Sequence, residues 1–166
     1  MSVNVCMAAH VAIIMGSESD LPVMKEAGEA LKKLGLDYEM SVVSAHRTPH
    51  EVVKFGENAR ARGIRVIIAG AGGAAHLPGM MASFTELPVI GVPIPVGPLQ
   101  GQDALHSIVQ MPKGVPVATV AIGNAWNAGI LAAQILGAAD SLLLDRVATY
   151  KKELRDAVVA KSQIKS

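Results

Sequence analysis

Short runs of aliphatic and β-branched residues alternate five times with longer amphipathic stretches along this chain, and few folds satisfy that alternation. The short runs are Val11–Met15, Tyr38–Val43, Val66–Ala69, Val89–Val92 and Val117–Ala121. Most are continuously apolar, as parallel strands covered on both faces are. Between the first two, Leu21, Met24, Ala27, Leu31 and Leu34 recur at three- and four-residue steps. That spacing lays them along one face of a helix, which Gly35 then stops. The next helix is predicted to open at Thr48-Pro49-His50-Glu51, with Thr48 as cap, Pro49 in the first turn and Glu51 as the acid of a capping box. Further helices are predicted over Pro78–Phe84, Asp103–Gln110 and Asn127–Leu136, and from Ser141 to about Lys161. Five strand–helix units specify an α/β fold, a three-layer sandwich around a parallel five-stranded sheet. Such sheets gather ligands at the carboxyl ends of their strands, so the loops after the strands are where chemistry is expected.

The 166 residues suit one domain, 1–166, with residues 1–10 as an N-terminal extension and 140–166 as a helical arm at a subunit interface. No internal repeat, low-complexity tract or linker interrupts it. One irregular stretch, Pro93 to Gly101, is rich in Pro and Gly and reads as a loop, with a place over the site as its functional reading. Fifteen basic residues against 14 acidic ones, with no long single-sign run, argue against a nucleic-acid or anionic-membrane partner. An aromatic content of 3% leaves no base-stacking platform. The single cysteine, Cys6, excludes an internal disulfide and fits a reducing, cytoplasmic setting. The first ten residues lack the basic region of a signal peptide, and the apolar runs are too short and too often broken by Gly or Pro to span a membrane. Charged residues make up only 17% of the chain, against roughly 25% in average globular proteins. A small domain so short of charge is expected to cover part of its surface in an oligomer.

Three loops carry the chemistry. The first is Gly16-Ser17-Glu18-Ser19-Asp20, between the first strand and its helix. A tight glycine turn, two hydroxyls and outward backbone N–H groups suit an anion such as a phosphate. Asp20 repels phosphate, so it is either the helix cap or the acceptor for a sugar's hydroxyl groups. The loop lacks the Gly-Lys-Ser/Thr of a Walker A motif.

The second loop is Ser44-Ala45-His46-Arg47-Thr48-Pro49. Arg47 lies just before a helix N-terminus, where a cation opposes the helix dipole. A cation in that place argues for a bound anion, which Arg can grip through two parallel hydrogen bonds. A lone loop His is ordinarily just solvated. His46, at a strand's carboxyl end beside such an Arg, is instead a candidate proton carrier.

The third loop runs from Gly70 to Met80. Gly70, Gly72 and Ala75 loosely fit a dinucleotide-binding pattern. That fingerprint belongs after the first strand, however, with an acid at the end of the next one, where Pro93 stands here. NAD and FAD are therefore discounted, and the small residues read as room for a flat ligand to approach the backbone. His76 reads as orienting this loop or capping its helix. No metal site is indicated, because the histidines at 10, 46, 50, 76 and 106 have no Cys or carboxylate at ligand spacing. Ser17 and Ser19 lack a nucleophile-elbow context.

Gly16-Ser17-x-Ser19-Asp20, Ser44-Ala45-His46-Arg47-Thr48-Pro49 and Ala74-Ala75-His76-Leu77-Pro78-Gly79-Met80 together resemble the 5-(carboxyamino)imidazole ribonucleotide mutase family of bacteria, fungi and plants. Ser107-Ile108-Val109-Gln110-Met111-Pro112 and the segment from Pro116 to Gly123 match it too, so the resemblance runs from about Val11 to Leu136. It implies a flavodoxin-like fold, a homo-octamer with sites at subunit junctions, and a step of purine (IMP) biosynthesis. In that step a carboxyl group moves from an exocyclic amine to carbon 4 of an imidazole ribonucleotide. Carried over, Ser17, Ser19 and Arg47 would hold phosphate and Asp20 the ribose. Ser44, Gly72, Gly73 and Ala74 would hold base and carboxyl group, with His76 and Leu77 also in the substrate-binding set. His46 would be the catalytic proton carrier. No cofactor and no metal is needed for this chemistry, since one acid/base used in both directions and a closed pocket suffice. An ATP-dependent carboxyaminoimidazole ribonucleotide synthase would be the upstream partner.

The animal-type relative, which uses free carbon dioxide, carries Lys-Gly where this chain has Arg47-Thr48, so the loops favour the mutase. Two segments depart from the family pattern, Asn124 to Gly129 with its added Trp126, and the Pro93–Gly101 loop; each reads as lining a subunit interface or the pocket rim. The rival readings are a carbon-dioxide-dependent carboxylase, a non-catalytic flavodoxin-like module binding FMN or accepting phosphate, and a phosphosugar isomerase. The glycines ending the third strand and the scarcity of aromatics weigh against the module.

Overall fold

A computed structural model describes residues 11–161. The N-terminal extension 1–10, with Cys6 and His10, and the last five residues of the arm, 162–166, lie outside the described residues. The elements run β1 (Val11–Met15), α1 (Leu21–Lys33), β2 (Tyr38–Val42), α2 (Pro49–Ala59), β3 (Val66–Gly72), α3 (Leu77–Ser83), β4 (Val89–Ile94), α4 (Gln102–Val109), β5 (Ala118–Thr119), α5 (Ala125–Gly137) and α6 (Ser141–Lys161). A single 3-10 turn, Glu18–Asp20, precedes α1.

The strands form one parallel sheet in the order β2-β1-β3-β4-β5, with Val11 beside Tyr38 on one side and Val66 on the other. This is the flavodoxin-like order, and its direction reverses between β1 and β3, where such sheets open a crevice for ligands. The pleat of β1 sends its side chains to two cores. Ala12 and Ile14 join Val52, Leu77, Met81, Ala104 and Ile108 under α2, α3 and α4. Val11, Ile13 and Met15 join Met24, Ala27, Leu31, Ala125 and Ala128 under α1 and α5. The continuous apolar runs are thus explained, because β1 is buried at all five positions.

Four expected details differ. β3 continues past Ala69 to Gly72, so the expected third loop begins inside the strand. β4 continues through Pro93 to Ile94, because in a parallel ladder the Pro93 carbonyl still accepts from Gly123 N–H at 2.9 Å. β5 shortens to two residues; it is the sheet's edge and pairs only with β4. Thr48 does not cap α2, and the capping box with Glu51 does not form. Its hydroxyl is spent on the preceding turn instead, accepting from Ser44 N–H at 3.1 Å and donating to the Ser44 carbonyl at 3.0 Å.

Trp126 lies within the chain's own packing, away from the crevice. Its indole N–H donates to the Tyr150 hydroxyl at 2.9 Å, and both flank a small cluster of Ala30, Leu34, Leu143 and Val147 that fastens α6 to α1 and α5. Beyond Tyr150 every described residue of α6 is exposed. No helix among the described residues is long and apolar enough to cross a membrane.

Candidate active site

The carboxyl ends of β1, β2, β3 and β4 border an open cavity of about 480 Å³ at the β1/β3 switch point. From the first loop it is lined by Gly16, Ser17, Ser19 and Asp20; from the second by Ser44, Ala45, His46 and Arg47. Ala71, Gly72, Ala74, His76 and Leu77 line it from the third loop, and Val96 from the loop after β4.

Arg47 ties the first two loops together. Its Nη2 donates to the Gly16 carbonyl at 2.7 Å, and its Nε to Ser44 Oγ at 3.1 Å. The hydroxyl of Ser17 caps the 3-10 turn, accepting from Ser19 N–H at 3.3 Å and from Ser19 Oγ at 3.0 Å. Two hydroxyls and a guanidinium therefore face one volume, which is the equipment for an oxyanion. In the same cavity, His46 Nε2 lies 2.6 Å from His76 Nδ1, the two rings nearly perpendicular at 86°.

Asp20 is the buried charge of the site, 5% exposed. It stands at the start of α1 yet makes no side-chain cap bond, so the capping reading fails and its carboxylate remains aimed at the cavity. Burial lifts its carboxyl above the ordinary 3.8; hydrogen bonds from the Ser17 backbone and the Ser19 side chain, the Arg47 charge and the Gly16 backbone pull it back only in part. The folded chain thus holds this proton to higher pH than the unfolded chain does. Within that window the folded state binds more protons than the unfolded one, so stability falls as pH rises. Above that window the raised carboxyl is a cost to the fold. Asp20→Asn should therefore melt above the wild type at pH 7, with the gain vanishing in acid where both forms are neutral. A melting curve at pH 7 lying below wild type would contradict this.

The family model described as AIR carboxylase matches residues 10–157. This chain belongs to the AIR carboxylase family. It is 61% identical over 154 residues to the N5-carboxyaminoimidazole ribonucleotide mutase of Thermotoga maritima, covering 93% of this chain and 90% of that protein. It is 58% identical over 152 residues to the protein of the same name from Mycobacterium tuberculosis, covering 92% and 87%. It is 56% identical over 149 residues to the chloroplastic phosphoribosylaminoimidazole carboxylase of Vigna aconitifolia, a longer protein of which it covers 27%. The crystal structure of Treponema denticola PurE superposes with a TM-score of 0.85 at 30% identity, covering 94% of this chain and 98% of that one.

Within this AIR carboxylase fold, ten of the eleven residues singled out from sequence line the cavity. Gly73 does not. It sits at φ +61 with nothing near the place of a Cβ, and it turns the chain between the lining residues Gly72 and Ala74. His76 starts α3 without a side-chain cap bond; its ring serves His46 instead. Sequence reasoning passed over Gly16, Ala45, Ala71 and Val96 as lining. The small ones carry no chemical signal. Val96 was legible only as part of an irregular loop. It packs where a Cβ on Gly72 would stand, so the glycine at the end of β3 is what lets the β4 loop lean over the cavity.

Proposed function

We propose that this chain is an N5-carboxyaminoimidazole ribonucleotide mutase, moving the carboxyl group of its substrate from the exocyclic nitrogen to carbon 4 of the imidazole. The observation that carries the reading is the joining, in one cavity, of an oxyanion grip (Arg47, Ser17 and Ser19) with an imidazole at His46. The names and high identity of the relatives support it.

The roles follow from position. Arg47 and the two serines hold the phosphate, and Asp20 accepts from the ribose hydroxyls. Ser44, Gly72 and Ala74 lie along the base, where small residues admit a flat ring, while Leu77 and Val96 supply apolar wall. The carbamate C–N bond breaks as its nitrogen takes a proton from His46, releasing carbon dioxide. The electron-rich ring then attacks that carbon dioxide through carbon 4, and the proton on carbon 4 returns to His46. Proton and carboxyl balance without ATP or a metal. The apolar wall keeps the gas close to carbon 4, which favours recapture over escape. The chain functions as one domain in the cytoplasm, as a homo-octamer with the 140–166 arm at a subunit interface. An ATP-dependent synthase supplies the labile carbamate.

The test is to mix metal-stripped protein with freshly prepared carbamate nucleotide, without ATP or bicarbonate, and follow the carbon-4 carboxylate by absorbance. Rapid product supports the mutase. Product only from aminoimidazole ribonucleotide plus carbon dioxide would favour the carboxylase reading, the name borne by the Vigna relative. No product from either would leave a phosphate-binding module. Arg47→Ala removes the charge-assisted phosphate contacts and the bridge to Gly16 together. At about 1.5–3 kcal/mol for hydrogen bonds to a charged group, nucleotide affinity should fall roughly 10- to 150-fold. Calorimetry with unchanged affinity would break the phosphate assignment.

A further inference from the structure

We propose that His76 is a positioning residue that holds His46 in one ring orientation and one tautomer, acting on turnover through His46 and not by binding substrate. This rests on the mutase reading and deepens it. His46 is exposed and sits in a loop, and the one hydrogen bond to its ring among the described residues runs from Nε2 to His76 Nδ1 at 2.6 Å. His76 is the better anchored of the two. Its backbone N–H donates to the Ala74 carbonyl at 2.7 Å, its carbonyl accepts from Met80 N–H at 2.9 Å, and its neighbours Ala75 and Leu77 are 2% and 1% exposed. A clamped backbone thus presents one imidazole to a second one that has no other tether.

The contact also constrains protons. Two facing nitrogens of neutral rings share one hydrogen, so Nε2 of His46 is committed to His76 and Nδ1 is the nitrogen left for the substrate. When Nδ1 takes the proton from carbon 4, Nε2–H donates to the lone pair of His76 Nδ1. His46 can then hold both protons without turning, and it gives one back from the same place in the next cycle. A partner on the far nitrogen is the usual means of setting a histidine's tautomer; here the partner is a second histidine.

Asn and Ala at position 76 separate this role from others. Asn places an amide close to where Nδ1 lies, so His76→Asn should keep kcat within a few-fold of wild type. His76→Ala should lower kcat by roughly 10²-fold, the scale of a misplaced reacting group, with KM and nucleotide affinity changed by less than about threefold. In nucleotide-free protein, the 15N resonance of His46 Nε2 should move in His76→Ala and stay near its wild-type position in His76→Asn. His76→Gln, whose amide falls one bond further out, replaces Ala if that variant does not fold. A raised KM at unchanged kcat would make His76 a substrate contact and overturn the inference. So would equal losses in Asn and Ala, or a His46 resonance indifferent to both. Failure of the mutase reading shows separately, as wild-type protein without turnover; the resonance comparison then decides whether His76 holds His46.

Discussion

His46→Asn should bind nucleotide with near wild-type affinity and lose turnover by about 10²- to 10⁴-fold, the range contributed by a positioned proton carrier. Asn fills much of the same space, but it cannot accept a proton from carbon 4. The anion-gripping groups are on Arg47, Ser17 and Ser19, and none of them hydrogen-bonds the His46 ring. Binding and chemistry should therefore part cleanly. The check is kcat from carbamate conversion beside affinity from calorimetry on the same preparation. Near-full activity would remove His46 from the mechanism. A loss of affinity matching the loss of rate would mean that His46 contacts the ground state.

The second large effect lies away from the cavity. Gly129, in α5, faces α1 so closely that a Cβ there would stand 2.6 Å from the Ala27 carbonyl oxygen and 2.8 Å from the Ala30 Cβ. Neither neighbour can swing aside, since one is backbone and the other a methyl group. Gly129→Ala gains up to about 1 kcal/mol of helix propensity. Overpacking against rigid atoms typically costs about 1–3 kcal/mol and sometimes more. With a carbonyl at 2.6 Å the clash wins, and the two helices must separate. A loss near 2 kcal/mol corresponds to a fall in Tm of about 4–8 °C for a chain of this size. Because Ser17, Ser19 and Asp20 lead directly into α1, nucleotide affinity should fall with it. Thermal melts that match or exceed wild type would show that the helices have slack.

Most of the architecture was legible because its signals are local and repeated. The apolar runs of β1 and β3 need cover on both faces, and the Leu21–Leu34 spacing needs a helix lying on a sheet. The residues that line the cavity were legible for a related reason: they follow strand ends directly, and a parallel sheet brings all such ends to one edge. What escaped depends on long-range placement. Thr48 has the composition of a cap, yet its hydroxyl closes the Ser44 turn, a choice made by how β2 leads into α2. Asp20 fitted two roles equally, and its lack of a side-chain cap bond removes the capping one. The pairing of His46 with His76 joins residues 30 apart, and nothing in either motif announces it. Trp126 carried no sign of its partner, Tyr150, which lies a helix later in its own chain.

The bridge from Arg47 to Ser44 Oγ and the Gly16 carbonyl also bears on when order is acquired. A free arginine side chain carries about 2 kcal/mol of rotamer entropy, and a flexible one would surrender it on meeting phosphate. Here the guanidinium is already confined before any ligand arrives, so that loss falls on the folding reaction. Affinity for the nucleotide is in this sense borrowed from the stability of the empty protein. Loosening the Ser44 or Gly16 contact would move the same entropy onto the binding step, even with Arg47 itself unchanged.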